Sequence, residues 1–213
     1  MNKQRVYSNE PEDREEFTKK FDKVYAAFAK AYDVFAKVFP PWKRWLTTVI
    51  PYIEGPRVLE VSFGTGYLLA QYANRFETFG LDYNEALIDV TRKNLQEKTC
   101  SAHLVRGVVE ALPYPDECFD TIVNTMAFTA YPDSAKALSE LYRVLKPGGK
   151  FLLVDINYPA NGNWLGVKTV KMWMVIGDLV RDVNVLLRQF HFHYTDLEIG
   201  GFGSVHLYVA EKE

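Results

Sequence analysis

Between Arg57 and Arg75 a short apolar run, Arg57-Val-Leu-Glu-Val-Ser62, passes through Phe63-Gly64-Thr-Gly66 and straight into a helical pattern that starts at Tyr67. Two closely spaced glycines between a strand and a helix let backbone amides approach a ligand, and the unit belongs to sheets built from βαβ crossovers. The chain continues in that rhythm. Strands are expected at Thr78–Leu81, Ala102–Val105, Phe119–Asn124 and Lys150–Ile156, with helices at Glu85–Glu97 and Asp133–Leu145 and a turn at Pro147-Gly148-Gly149. Alternation of this kind predicts a mainly parallel sheet with right-handed connections.

The two ends of the chain differ from this middle. The first sixteen residues are polar and are expected to be loose. Phe17, Phe21, Val24, Tyr25, Phe28, Tyr32, Phe35 and Phe39 recur at helical spacing, Pro40-Pro41 closes that run, and Trp42–Ile50 reads as a second short helix. After residue 156, Leu165–Phe190 reads as one long amphipathic helix. Two β-rich runs around Ile199-Gly-Gly-Phe202 then predict an antiparallel hairpin that closes the sheet. With no linker in the middle, 1–213 is read as one domain: a helical cover over 1–55, a cofactor-binding core over 56–156, and a substrate-side helix and hairpin over 157–213. The expected fold is an α/β, Rossmann-like three-layer sandwich on a seven-stranded, mainly parallel sheet.

Composition removes several alternatives. The chain has 213 residues, 48% hydrophobic and 24% charged, which is globular and not disordered or fibrous. Its net charge of −2 gives no general attraction to nucleic acid, and two cysteines are too few for a disulfide framework or a four-ligand zinc site. Charges interrupt the most apolar stretch, so no transmembrane segment is expected. A cytoplasmic protein with, at most, peripheral membrane contact follows. His191 and His193 alternate on an expected strand and His206 could join their face, but no carboxylate completes a site, and no metal is assigned.

The chemistry concentrates at the glycine turn. Asp82 ends the next strand, 22 residues after Glu60, where a carboxylate can accept both hydroxyls of a ribose. A dinucleotide fingerprint wants a third glycine where this chain has Leu69, and Glu60 would stand beside a pyrophosphate as a second negative charge. No Gly-Lys-Ser/Thr follows, so a phosphate loop is also excluded. A carboxylate at Glu60 suits a cofactor with an ammonium group, a ribose and no phosphate, as in S-adenosylmethionine.

Four strings in order carry a resemblance: Val58-Leu-Glu-Val-Ser-Phe-Gly-Thr-Gly66, Gly80-Leu-Asp-Tyr-Asn84, Arg106-Gly-Val-Val-Glu-Ala-Leu-Pro113 with Phe119-Asp120, and Leu141-Tyr-Arg-Val-Leu-Lys-Pro-Gly-Gly-Lys150. Together they resemble the class I S-adenosylmethionine-dependent methyltransferases, in the branch that includes the ubiquinone/menaquinone C-methyltransferases. The resemblance implies that Glu60 meets the methionine amino group while Ser62, Gly64 and Gly66 line that moiety. It implies that Asp82 holds the ribose, Tyr83 stacks on adenine, Val109 and Glu110 sit at the adenine edge, and Asn124 faces the methionine end. S-adenosylhomocysteine would be the product, and the partner a small, apolar or aromatic acceptor.

Ala29-Lys-Ala-Tyr32-Asp33 is similar to an N-terminal string of quinone methylases, where Tyr32 would close over the site. Tyr32, Tyr131 and His191 are the candidates for acid–base work. Two departures stand out: Ser62 replaces the family's usual first glycine, and Val108 replaces an acid usually found beside adenine. Thr125–Tyr131 holds no histidine where relatives often carry them. These departures motivate a second reading, a cofactor-binding regulatory or partner protein without turnover. A nicotinamide-dependent oxidoreductase is the third.

Overall fold

The computed structural model describes residues 5–23 and 40–213. Seven strands form one sheet in the order β3-β2-β1-β4-β5-β7-β6. They are β1 (Arg57–Val61), β2 (Glu77–Asp82), β3 (His103–Arg106), β4 (Phe119–Thr125), β5 (Leu145–Ile156), β6 (Phe192–Gly200) and β7 (Val205–Lys212). The first five run parallel, and β7 lies antiparallel between β5 and β6. The expected mixed sheet with its terminal hairpin is therefore the observed one. The chain reverses from β1–β2–β3 on one side to β4 on the other, so the carboxyl ends of β1 and β4 flank the crevice where α/β sheets bind ligands.

Both faces of the sheet are covered. Along β5, Phe151 and Leu153 enter one core with residues of α5 (Ser134–Val144) and α7 (Val183–Gln189). Leu152, Val154 and Ile156 enter a second core with residues of α3 (Leu69–Tyr72), α4 (Glu85–Glu97) and α6 (Trp164–Ile176). Alternate side chains of one strand thus serve opposite layers, which is why its sequence reads as a continuous apolar run. Helical residues 14–23 (α1) and α2 (Pro40–Thr47) lie beside the crevice, and Arg14 of α1 bridges Asp133 at the start of α5 at 2.6 Å.

Several expectations need correction. The single helix over Leu165–Phe190 is two helices, α6 and α7. Gly177 caps α6 with a left-handed φ of 119°, a conformation that costs glycine little, and Asp182 caps α7 through the amide of Val185. The connection between them docks on the loop after β4. Leu179 N–H donates to Thr129 O at 2.8 Å, Thr129 Oγ1 donates to Asp178 at 2.9 Å, and the Arg181 guanidinium donates to Tyr131 O at 2.8 Å. Those tertiary bonds outweigh helical periodicity.

Residues 5–8 are not loose. Ser8 N–H donates to Val180 O at 2.8 Å, and Tyr158 Oη donates to Val6 O at 2.7 Å. Both prolines at 40–41 belong to α2, which ends at Thr47, short of the expected Ile50; residues 24–39 of the expected helix over 17–39 lie outside the described residues. Tyr67–Arg75 contains only four α-helical residues, followed by a 3₁₀ turn at Ala73–Arg75. The Pro147–Gly149 segment lies within β5. The histidines do not share one face. His206 pairs with Glu198 and His193 with Glu211, so they sit at opposite parity, while His191 precedes β6. Among the described residues no cluster of three His, Cys, Asp or Glu could hold a metal.

Candidate active site

At the carboxyl ends of β1, β2 and β4 lies a cavity of about 1080 Å³ including its open mouth. The glycine turn forms its floor. Strand β1 stops at Val61, and Ser62 swings into the left-handed region (φ 53°), with its N–H donating to Leu81 O at 2.7 Å. Gly64 and Gly66 are left-handed as well, at φ 57° and 68°. Helix α4 holds the turn from behind: Thr91 Oγ1 donates to Gly64 O at 3.0 Å, and Asn94 Nδ2 to Thr65 O at 2.8 Å. A Cβ at Gly66 would meet the Thr91 methyl at 2.4 Å, so this glycine serves the approach of α4.

Two buried carboxyl groups face the cavity. Glu60, only 1% exposed, accepts a 2.6 Å hydrogen bond from Tyr72 Oη, its one hydrogen-bond partner among the described residues. Burial pushes its acid up to about 8, opposed by that hydrogen bond. Asp82 takes Gly64 N–H and Asn84 N–H at 2.9 Å each, one on each oxygen. Burial lifts it to about 6 in spite of these donors. One polar carboxylate fastened to the turn and one carboxylate short of a cation suit a ligand that carries hydroxyls and an ammonium.

The remaining sequence candidates divide. Ser62, Gly64, Tyr83, Val109, Glu110 and Tyr131 line the cavity with Glu60 and Asp82. Tyr83 is half-buried, with the Arg106 guanidinium 5.7 Å from its ring centre. Glu110 Oε1 is buried and finds no hydrogen-bond partner among the described residues, and burial raises its acid. Gly66 and Asn124 do not reach the cavity wall. Asn124 Nδ2 donates to Tyr131 Oη at 2.5 Å, and that hydroxyl pairs with Ser62 Oγ at 2.8 Å. Burial drives the Tyr131 phenol well above its usual range, so it stays protonated at any ordinary pH. His191 stands exposed at the α7–β6 turn, outside the lining, and Tyr32 lies outside the described residues.

Sequence reasoning missed the opposite wall. Thr18, Phe21 and Asp22 of α1, Trp42 and Leu46 of α2, and Tyr67 and Met126 complete the cavity. Asn84 is the link: its Oδ1 caps α4, while its Nδ2 donates to Asp22 Oδ1 at 2.8 Å. The signal lay in Asn84 directly before a helix, a position that calls for a capping side chain with a second polar arm to spare.

A family model described as a methyltransferase domain matches residues 59–153. Demethylmenaquinone methyltransferase of Deinococcus radiodurans is 29% identical over 158 residues, covering 70% of this chain and 66% of that protein. The ubiquinone/menaquinone biosynthesis C-methyltransferase UbiE of Vibrio parahaemolyticus is 30% identical over 157 residues, covering 68% of this chain and 61% of that protein. The chain thus spans about two thirds or less of the length of these relatives. A crystal structure of a SAM-dependent methyltransferase of Thermotoga maritima, described as a possible histamine N-methyltransferase, shares the fold with a TM-score of 0.71. Its identity is 20%, over 90% of this chain and 99% of that one. The matched stretch contains the glycine turn, both buried carboxylates and the edge at Val109 and Glu110, so residues 59–153 form a methyltransferase domain similar to those of the class I S-adenosylmethionine-dependent enzymes.

Proposed function

We propose that this chain transfers a methyl group from S-adenosylmethionine to a small, apolar or aromatic acceptor. The observation that carries the reading is the pairing of Glu60 and Asp82 at neighbouring strand ends of one cavity, each buried and each lifted in pKa. Glu60 would take the ammonium of the methionine moiety, since a buried carboxylate is stabilised by a close cation. Asp82 keeps lone pairs free beyond its two backbone donors and would accept the ribose hydroxyls. Tyr83 offers a half-buried face for the adenine, with Val109 and Glu110 along its edge. When bound, the cofactor supplies an electrophilic methyl on a sulfonium.

The chain's own work is positioning. Phe21, Trp42, Leu46, Tyr67 and Met126 form an apolar wall that would orient the acceptor and exclude water. Holding two reactants in line can account for most of the acceleration in a displacement of this type. Tyr131 is proposed as a donor that orients groups in the cavity and not as a base, because its phenol is held protonated. The quinone-biosynthesis names of the relatives support a planar ring acceptor for this chain.

Ser62 favours a second reading. A side chain fills the position of the family's usual first glycine and is tied to Tyr131, which narrows the methionine end. A cofactor-binding regulatory protein without turnover would share this feature. Calorimetric titration with S-adenosylmethionine, S-adenosylhomocysteine and NAD separates the readings. Micromolar binding of the two sulfur compounds, absent for NAD and weakened about 100-fold in Asp82→Ala, is the expected result; that loss is about 2.7 kcal/mol, the size of a lost charge-assisted hydrogen-bond pair. No binding of either sulfur compound would overturn the enzyme reading. Binding with no methylation of a quinol panel would favour the regulatory one.

A further inference from the structure

Helix α6 is built the wrong way round for a surface helix of a soluble domain. Of its 13 residues only Gly166 and Val170 are fully buried. Its exposed residues are Trp164, Lys168, Lys171, Met172, Val175 and Ile176. At 3.6 residues per turn these six fall within one sector of roughly 140°. Four are large and apolar, with 63%, 53%, 86% and 62% of Trp164, Met172, Val175 and Ile176 exposed. An outward face normally carries charges and leaves its apolar residues to the core. Here the only charges are two lysines, and α6 contains no acid at all. The Lys168 ammonium lies 4.7 Å from the centre of the Trp164 ring, so the two form one unit of cation and aromatic.

A second exposed aromatic stands by this helix. Phe202, 62% exposed, occupies the β6–β7 turn with a left-handed φ of 58°. That turn packs on α6 so tightly that a Cβ at Gly166 would lie 2.4 Å from Phe202 O. A bulky residue in the left-handed region carries a conformational cost that solvent exposure does not repay.

We propose that α6, with Phe202 beside it, docks this protein on an anionic lipid surface. The apolar residues would enter the region between headgroups and acyl chains, and Lys168 and Lys171 would sit at the level of the phosphates. The charge pattern selects this occupant. A second copy of the chain would set the same two lysines against each other with no acid on α6 to compensate. Thirteen residues are also too few to cross a bilayer, so the contact is peripheral.

The docking face adjoins the cavity. Trp173, on another side of α6, has its ring 6.5 Å from that of Trp42, which lines the cavity. A Cβ at Gly177, the cap of α6, would meet the ring of Phe21 at 3.3 Å, and Phe21 lines the cavity too. A docked protein would therefore hold the apolar wall of its cavity close to lipid. The inference goes beyond methyl transfer and does not require it.

The test is co-sedimentation with vesicles of phosphatidylcholine alone and of phosphatidylcholine with a minority of phosphatidylglycerol, at physiological ionic strength. Wild type is expected to prefer the anionic vesicles by about thirty-fold, roughly tenfold or less per lysine. The double variant Lys168→Glu with Lys171→Glu should lose that preference. Val175→Glu with Ile176→Glu should weaken binding to anionic vesicles at least tenfold. All four positions are exposed, and an unchanged melting temperature would confirm that each variant folds. Wild type remaining in the supernatant with both vesicles would overturn the proposal, as would a Val175→Glu, Ile176→Glu variant that sediments like wild type. A wild-type dimer in light scattering that this variant converts to monomer, without vesicle binding, would instead make α6 an interface between copies.

Discussion

The two walls of the cavity are made by different means. On the sheet side stand Glu60, Ser62, Gly64, Asp82 and Glu110, placed by strand ends and by a turn whose backbone is fixed at three left-handed residues. Its polar groups are held before any ligand arrives, and two of its acids are lifted to about 8 and about 6 because burial leaves them short of counter-charge. On the helix side stand Phe21, Trp42, Leu46, Tyr67 and Met126, which come from α1, α2 and loops and offer shape and apolar area. A wall of unmet charge sets what the ligand must carry, whereas a wall of rings sets how large and how flat its partner must be. One site can thus discriminate two reactants by two independent kinds of physics.

The largest effect that would break this contrast lies at Glu60. A carboxyl with an acid constant near 8 is protonated at pH 6, so taking up an ammonium there releases a proton. Affinity for S-adenosylmethionine should rise with pH between 6 and 8, by up to about tenfold per unit, and level off above. Glu60→Gln should abolish the slope and weaken binding about 100-fold at pH 8, or about 2.7 kcal/mol, within the range for removing one partner of a buried charge pair. Without cofactor the sign reverses. Burial raises this acid in the folded state above its ordinary 4.5, so ionisation opposes folding and stability declines as pH rises from there towards 8. The Gln variant should therefore melt higher than wild type at pH 8 when cofactor-free. Titrations and melts at pH 6, 7 and 8 check both, and an unchanged slope in the variant would remove Glu60 from the ammonium site.

A smaller effect is expected across the cavity. Tyr67 is half-buried and packs with Trp42 and Leu46, and its ring lies 5.9 Å and 5.8 Å from the ammonium groups of Lys43 and Lys98. Tyr67→Ala removes a flat apolar surface from the helix-side wall and touches neither buried carboxylate. On the proposed reading it should raise the acceptor KM about tenfold, the order of one lost aromatic contact of 1–1.5 kcal/mol, while the cofactor Kd changes less than about twofold. A matched loss of cofactor affinity would show that the two walls are not independent.

How much of this was legible follows the same division. The sheet side could be read because its determinants are local: Gly64 and Gly66 must be small, Glu60 and Asp82 lie at or next to the ends of their strands, and the expected helix over Glu85–Glu97 is the observed one. The helix side depends on contacts between residues far apart in sequence, such as Asn84 with Asp22 across 62 positions, and no periodicity encodes them. The split of α6 from α7 was half legible. Gly177 and Asp182 are a helix stop and a helix start, but apolar spacing from Leu165 to Leu187 ran straight across them. What decides the break is Thr129, Tyr131 and Arg181, brought together only by the folded sheet. The histidine face failed for a similar reason, since strand register is set by the partner strand and not by the strand itself.

Ser62 offers the finest test, because two small terms oppose each other at one residue of the sheet-side wall. Its φ of 53° costs a non-glycine residue about 1 kcal/mol, and its hydroxyl returns about 1 kcal/mol through Tyr131 at 2.8 Å. Ser62→Gly removes both terms and should leave stability within about 1 kcal/mol of wild type. Ser62→Ala keeps the strained backbone and loses the hydroxyl, so it should fall about 1 kcal/mol below Ser62→Gly in denaturant titration. Equal stability of the two variants would mean that the left-handed turn costs nothing here, and that serine stands in the glycine position without strain. The predicted order, glycine above alanine, would instead show that the Ser62–Tyr131–Asn124 chain is what allows a side chain at this point of the turn.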